Sequence, residues 1–130
     1  TCEISAVWKD IGAIYEKVTA RISSEIDELA YICGHSSHSY MQGTNIYFKF
    51  GINGTRDPET DRKAYFKLFT IIMDETLKMG GSIAHHHGIG KYRAPWTERE
   101  HGSSYCVLAA LKQCFDPNGI MNEGTLYPSK

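Results

Sequence analysis

Three consecutive histidines, His85, His86 and His87, stand between Gly80-Gly81-Ser82-Ile83-Ala84 and Gly88-Ile89-Gly90. Imidazole suits proton transfer at neutral pH because its unperturbed pKa is about 6.5. On an extended backbone His85 and His87 share a face while His86 points away, so at most two of the rings address one site directly. Glycines 81, 88 and 90 remove side chains that would keep a flat ligand off the backbone. A second candidate lies in the run Thr44 to Phe50, where Ile46, Phe48 and Phe50 alternate with Asn45, Tyr47 and Lys49. One face of that strand is core; the other is a working surface that presents the Tyr47 phenol. Cys33, His35 and His38 are of metal-ligating types, but Cys-x-His-x-x-His is not a usual zinc spacing and the neighbouring strand offers no acidic ligand. No metal is expected. Tyr40, His35 and His38 read as a polar loop, and Trp8 and Trp96 as packing residues.

The elements that must position these groups follow from periodicity. Val7, Ile11, Ile14, Val18 and Ile22 recur at helical steps behind Ser5 as N-cap, which predicts a helix over 5–22. Residues 27–34 are short, apolar and stopped by Gly34, and with 44–50 they form two strands close enough to pair antiparallel. Asp57-Pro58 opens a second helix, 57–79, whose stripe includes Tyr65, Phe66, Leu68, Phe69, Ile72, Met73 and Leu77; Gly80-Gly81 supplies a left-handed stop. A short strand, 82–84, feeds the histidines, a third helix runs over 103–115, and 118–130 is an irregular tail. The order helix, strand, strand, helix, strand, helix gives an α+β fold, an antiparallel sheet with helices on one face.

Composition narrows the function classes. The 130 residues suit one domain with one modest core. Fourteen Lys+Arg against fifteen Asp+Glu leave no basic surplus for phosphate-rich partners, so nucleic acid is not expected, even with Tyr40 and Tyr47 on a sheet. No apolar run reaches the roughly 18 to 20 residues that span a bilayer, and no basic-then-apolar leader precedes the first helix, so a cytoplasmic protein is expected. Thr1 in place of Met suggests a piece of something longer. The four cysteines, Cys2, Cys33, Cys106 and Cys114, follow no zinc or disulfide pattern and read as buried free thiols.

The stretch from Gly80 to Arg93, with Trp96 after it, resembles the triple-histidine motif of the flavoprotein alkyldihydroxyacetonephosphate synthases, within the vanillyl-alcohol oxidase superfamily. Ser39 to Phe50 resembles the same family's tyrosine-bearing strand, and Ser5-Ala6-Val7-Trp8 the start of its preceding helix. Phe115-Asp116-Pro117-Asn118-Gly119-Ile120-Met121-Asn122-Glu123-Gly124 is similar to the tail shared by FAD-linked oxidases, with Glu123 where proline is usual.

The resemblance implies a ferredoxin-like half of a flavoenzyme cap domain: residues 1–115 as the C-terminal part of the substrate cap, and 116–130 as a tail returning to an FAD-binding domain absent from this chain. It implies FAD, held mainly by that absent domain, with Gly88, Gly90 and Asn122 near the cofactor. In synthases of this kind flavin N5 forms an adduct while a fatty alcohol replaces the fatty acid on dihydroxyacetone phosphate. Tyr47 would be the general base there, with His85, His86 and His87 assisting and orienting the departing carboxylate. The substrate is small or lipid-like, and the partner is the chain's own FAD domain. A peripheral membrane contact or an oligomer of the full-length protein is compatible with this, as is a peroxisomal address for a eukaryotic synthase. The arginine for the substrate phosphate belongs to the missing part, so Lys91 and Arg93 do not take that role. Two other readings stand: an FAD-dependent 2-hydroxy-acid dehydrogenase, whose motif reads Gly-Glu-His-Gly where this chain has His86 for the glutamate, and a non-enzymatic α+β binding module.

Overall fold

The computed structural model describes residues 1–126. Where the length alone suggests one core, the chain divides into two compact units, Thr1–His85 and a second beginning at His86.

The first unit is a three-stranded antiparallel sheet with two helices on one face. Its strands are β1 (Cys2–Val7), β2 (Leu29–His35) and β3 (Gly43–Ile52), and β3 is central in the order β1-β3-β2. Cys2 pairs with Phe48, Ile4 with Ile46, and Ile32 with Phe50, so one face collects the apolar residues of all three strands. Helices α1 (Trp8–Glu25) and α2 (Pro58–Lys78) pack on that face: Tyr15 stacks on Phe48, and Tyr65 meets Phe50. Ile11, Ile14, Val18 and Ile22 of α1 are all buried, as are Leu68, Phe69, Ile72 and Met73 of α2. Burial of each such side chain contributes about 1.5 to 3 kcal/mol.

Polar contacts fix how the helices meet. Arg21 of α1 donates to Glu75 of α2 at 2.6 Å and to Glu25 at 2.7 Å, and Lys78 reaches Glu75 at 2.7 Å. Lys78 and then Arg21 hold the Glu75 carboxyl below the usual carboxylate range, while Glu25 and then Glu75 push the Arg21 guanidinium above its ordinary value. Asp57 caps α2 by accepting from the Glu59 and Thr60 amides, and Pro58 takes the first helical position.

Several sequence-based expectations are corrected. The first helix starts at Trp8, because Cys2, Ile4 and Ala6 alternate toward the sheet's apolar face; Ser5 is a strand residue and not a cap. The expected strand over 82–84 reduces to one bridge between Ser5 and Ser82. Three of the four cysteines are exposed, and only Cys2 is buried.

The second unit holds α3 (Gly90–His101), a 3₁₀ turn (Gly102–Ser104) and α4 (Tyr105–Phe115). Sequence periodicity did not anticipate α3, which carries Pro95 and lacks an apolar stripe; it buries Arg93, Ala94 and Thr97. Beyond α4, Asp116 accepts from the amides of Ile120 (3.0 Å) and Met121 (2.9 Å) and is paired with the Lys112 ammonium. Lys112, then the Met121 amide, lower the Asp116 pKa. The Asp-Pro-Asn tail motif is thus an aspartate-centred turn. Among the described residues no helix is long and apolar enough to cross a membrane.

Candidate functional site

The apolar face of the sheet is consumed by the helices, so the chemistry falls to the other. Glu3 pairs with Tyr47 across β1 and β3, Ser5 with Asn45, and His35 with Tyr47 across β2 and β3. Because residues directly opposite in a sheet share a face, Glu3, Asn45, Tyr47 and His35 all stand away from the helices. Tyr47 lies flat on His35, ring centroids 5.0 Å apart and planes 3° from parallel. Its expected outward orientation therefore holds.

His85 reaches this face through the bridge beside β1. The Ser5 amide donates to the Ser82 carbonyl at 3.0 Å and the Ser82 amide returns a bond of 2.8 Å, which sets the backbone leading to His85 along β1. Gly81 is required at the crossing, since a Cβ there would stand 2.8 Å from Thr76 Cγ2 and 3.0 Å from the Ser5 carbonyl oxygen.

At the centre is Glu3, fully buried and absent from any sequence-based list of candidates. Its Oε1 lies 3.0 Å from His85 Nδ1 and accepts from Asn45 Nδ2 at 3.1 Å, while Oε2 accepts from the His85 amide at 3.0 Å. A buried carboxylate needs such donors, because desolvating a charge without them is prohibitive. The other ring nitrogen of His85, Nε2, lies 2.8 Å from the Tyr40 hydroxyl; in the tautomer whose Nδ1 donates to Glu3, Nε2 accepts from that hydroxyl. Glu3, His85 and Tyr40 form one connected line from the interior to a phenol that is 52% exposed.

The loop carrying Tyr40 is tied down from both sides. Asn45, fully buried, accepts at Oδ1 from the amides of Ser37 (3.1 Å) and His38 (3.0 Å). The Trp8 indole N–H donates to the Tyr40 carbonyl at 2.9 Å, and the Tyr40 amide donates to Gly43 O at 2.9 Å. Trp8, expected to be a packing residue, is half exposed and acts as this latch. Gly43 lets β1 approach: a Cβ there would lie 2.1 Å from the Ala6 carbonyl oxygen. The ring centroids of His38 and His85 lie 5.3 Å apart.

The histidine run does not behave as an extended strand. The boundary between the units falls after His85, which is part-buried; His86 and His87 are exposed in the second unit, with rings edge to face at 4.7 Å. Gly88 and Gly90 both have positive φ, at 72° and 59°, and space for a Cβ is open at each. The strand-face alternation expected to pair His85 with His87 therefore has no strand to act on. The Gly88 carbonyl accepts from Arg93 Nη1 at 3.4 Å, and Asn122 stands in the tail turn with φ of 49°.

The first unit's outer face thus offers a carboxylate-backed imidazole and two phenols, a set suited to moving protons. The family model for the C-terminal domain of FAD linked oxidases matches residues 1–126. This chain belongs to that family. The Escherichia coli O157:H7 protein named uncharacterized FAD-linked oxidoreductase YgcU is 49% identical over 133 residues, covering 98% of this chain and 28% of its own length. An alkyldihydroxyacetonephosphate synthase of Trypanosoma brucei brucei is 35% identical over 115 residues, which is 88% of this chain and 18% of that one. In fold, this FAD-linked oxidase C-terminal domain matches a solved alkyldihydroxyacetonephosphate synthase at a TM-score of 0.56 and 20% identity, covering 93% of this chain and 19% of the other. The domain spans under a third of the length of these relatives.

Sequence reasoning missed Glu3, the bonding role of Asn45 and the contact of Tyr40 with His85. The available signal was the alternation Cys2-Glu3-Ile4-Ser5-Ala6, which puts one acid on the polar face of a strand whose other face is apolar.

Proposed function

We propose that the full-length protein is an FAD-dependent transferase of the alkyldihydroxyacetonephosphate synthase type, exchanging an acyl for an alkyl group on dihydroxyacetone phosphate. This domain supplies its acid–base face. The observation that carries the reading is the run His85-His86-His87, with histidine at 86 in place of the glutamate of hydroxy-acid dehydrogenases. A second imidazole there suits a reaction in which a carboxylate departs, because a glutamate would repel it.

The groove between Tyr40, Gly43, Ser82 and His85 measures about 310 Å³. That is the low end for small-ligand sites, and it fits the reacting end of a substrate, not a whole dinucleotide. FAD in this reading is held mainly by the rest of the protein, with Gly88, Gly90 and Asn122 contributing open backbone. Bound FAD supplies the covalent and redox chemistry. Tyr47 takes a proton from the carbon that bears the acyl group, and the histidines orient the carboxylate and meet its charge as it leaves.

The test is to supply the full-length flavoprotein with acyl-dihydroxyacetone phosphate and a labelled fatty alcohol. Label entering the ether product with no net flavin reduction is expected. Flavin reduction by a 2-hydroxy acid without exchange would move the protein to the dehydrogenases, and a full-length protein without flavin would make it a binding module.

A further inference from the structure

We propose that Glu3 is the positioning residue of a Glu3–His85–Tyr40 proton relay, which selects the Nδ1–H tautomer of His85 and makes Tyr40 a second working phenol beside Tyr47. The proposal rests on the acid–base role given to the outer sheet face above, but it names the groups that set that role.

Three observations carry it. Glu3 addresses His85 twice, at the ring through Oε1 and at the backbone through Oε2, so rotation of the imidazole and displacement of its Cα are both restrained. The carboxylate is fully buried and accepts from Asn45, which also holds the loop ahead of Tyr40. Tyr40 Oη then lies 2.8 Å from Nε2, the only ring nitrogen left to accept. A carboxylate on the far nitrogen of a histidine fixes its tautomer and stabilises the imidazolium when it forms.

The proton step balances without any further reagent. A substrate proton moves to Tyr40 Oη as the phenolic proton moves to His85 Nε2; the substrate keeps the electron pair of the broken bond, and the imidazolium stays against the Glu3 carboxylate. Return of the proton along the same line restores the resting state. Tyr40 is half exposed beside the groove, as a group meeting substrate must be, whereas Glu3 is fully buried.

The experiment uses the full-length FAD protein with ¹⁵N-labelled histidine, the His85 signals being assigned by their loss in His85→Gln. The parent is expected to show a protonated Nδ1 and an unprotonated Nε2. In Glu3→Gln, whose amide can donate to Nδ1, the proton should move to Nε2; in Tyr40→Phe it should remain on Nδ1. Single-turnover rates should fall about 10²-fold or more in each variant, with little change in KM, and the double variant should fall no further than the slower single one. A parent with its proton on Nε2, or a Glu3→Gln protein that keeps it on Nδ1, overturns the relay. Should Glu3→Gln fail to fold, the parent and Tyr40→Phe spectra still decide, since loss of the Nδ1 proton in Tyr40→Phe would give the selecting role to Tyr40. The tautomer is read without turnover, so a failure of the synthase reading leaves this test intact.

Discussion

Helices α1 and α4 carry apolar stripes at the same spacing and meet different surroundings. In α1 the stripe of Ile11, Ile14, Val18 and Ile22 is buried to the last residue against a sheet that the same unit provides. In α4 Leu108, Leu111 and Phe115 repeat the pattern, yet no residue of the helix is buried and Phe115 is 78% exposed. Periodicity reports that a helix has a face to bury. It does not report whether the partner lies in the same segment of chain. The first unit holds its own core and, on the opposite side of the same sheet, the polar cluster around Glu3, so the rigidity that site chemistry needs is local to it.

Stability measurements on the 130-residue chain should expose this contrast. Leu68→Ala, at a fully buried α2 position, is expected to cost about 2 to 5 kcal/mol in chemical denaturation. Phe115→Ala in α4 should stay within about 0.5 kcal/mol. Equal losses at the two positions would erase the distinction between the helices. Glycine gives a second contrast inside the first unit. Gly43→Ala drives a Cβ into the Ala6 carbonyl and should separate β1 from β3, whereas Gly12→Ala in α1 meets nothing within 4 Å and should stabilise by about 0.5 to 1 kcal/mol.

Smaller and pH-dependent is the effect of Glu75. Its pKa in the folded chain is depressed by Lys78 and Arg21, so its contribution is present above the ordinary carboxylate pKa and lost as pH falls through the folded value. Glu75→Gln should therefore be the less stable protein at pH 7, by about 1 kcal/mol given how exposed both cationic partners are. The gap should close in acid, and a gap that widens there would contradict the assignment. Weakest of the expected signals is flavin binding by the 130-residue chain alone; a stoichiometric FAD surviving gel filtration would show that this segment holds the cofactor.

How far the sequence went depended on the range of the interactions involved. The stripe of α1, the Asp57-Pro58 start of α2 and the alternation of β3 are local patterns, and all three were legible. The outward face of Tyr47 followed from the last of these. β1 was hidden because its three inward residues precede the helix directly, and Ser5 mimics a cap. α3 was hidden because Pro95 and a polar composition argue against a helix that forms all the same. The alternation around Glu3 could place it on a polar strand face but not name its partners, which are 42 and 82 residues away and meet it only through antiparallel pairing.

The central claim is that the face of the sheet opposite the helices does acid–base work in a flavin-linked reaction. It is tested most directly by single-turnover kinetics of the full-length flavoprotein carrying Tyr47→Phe or His85→Ala. Each variant should retain its flavin and fold while its flavin reacts with acyl-dihydroxyacetone phosphate about 10²-fold or more slowly than in the parent. Parent rates in both variants would contradict the claim and leave this face a purely structural one.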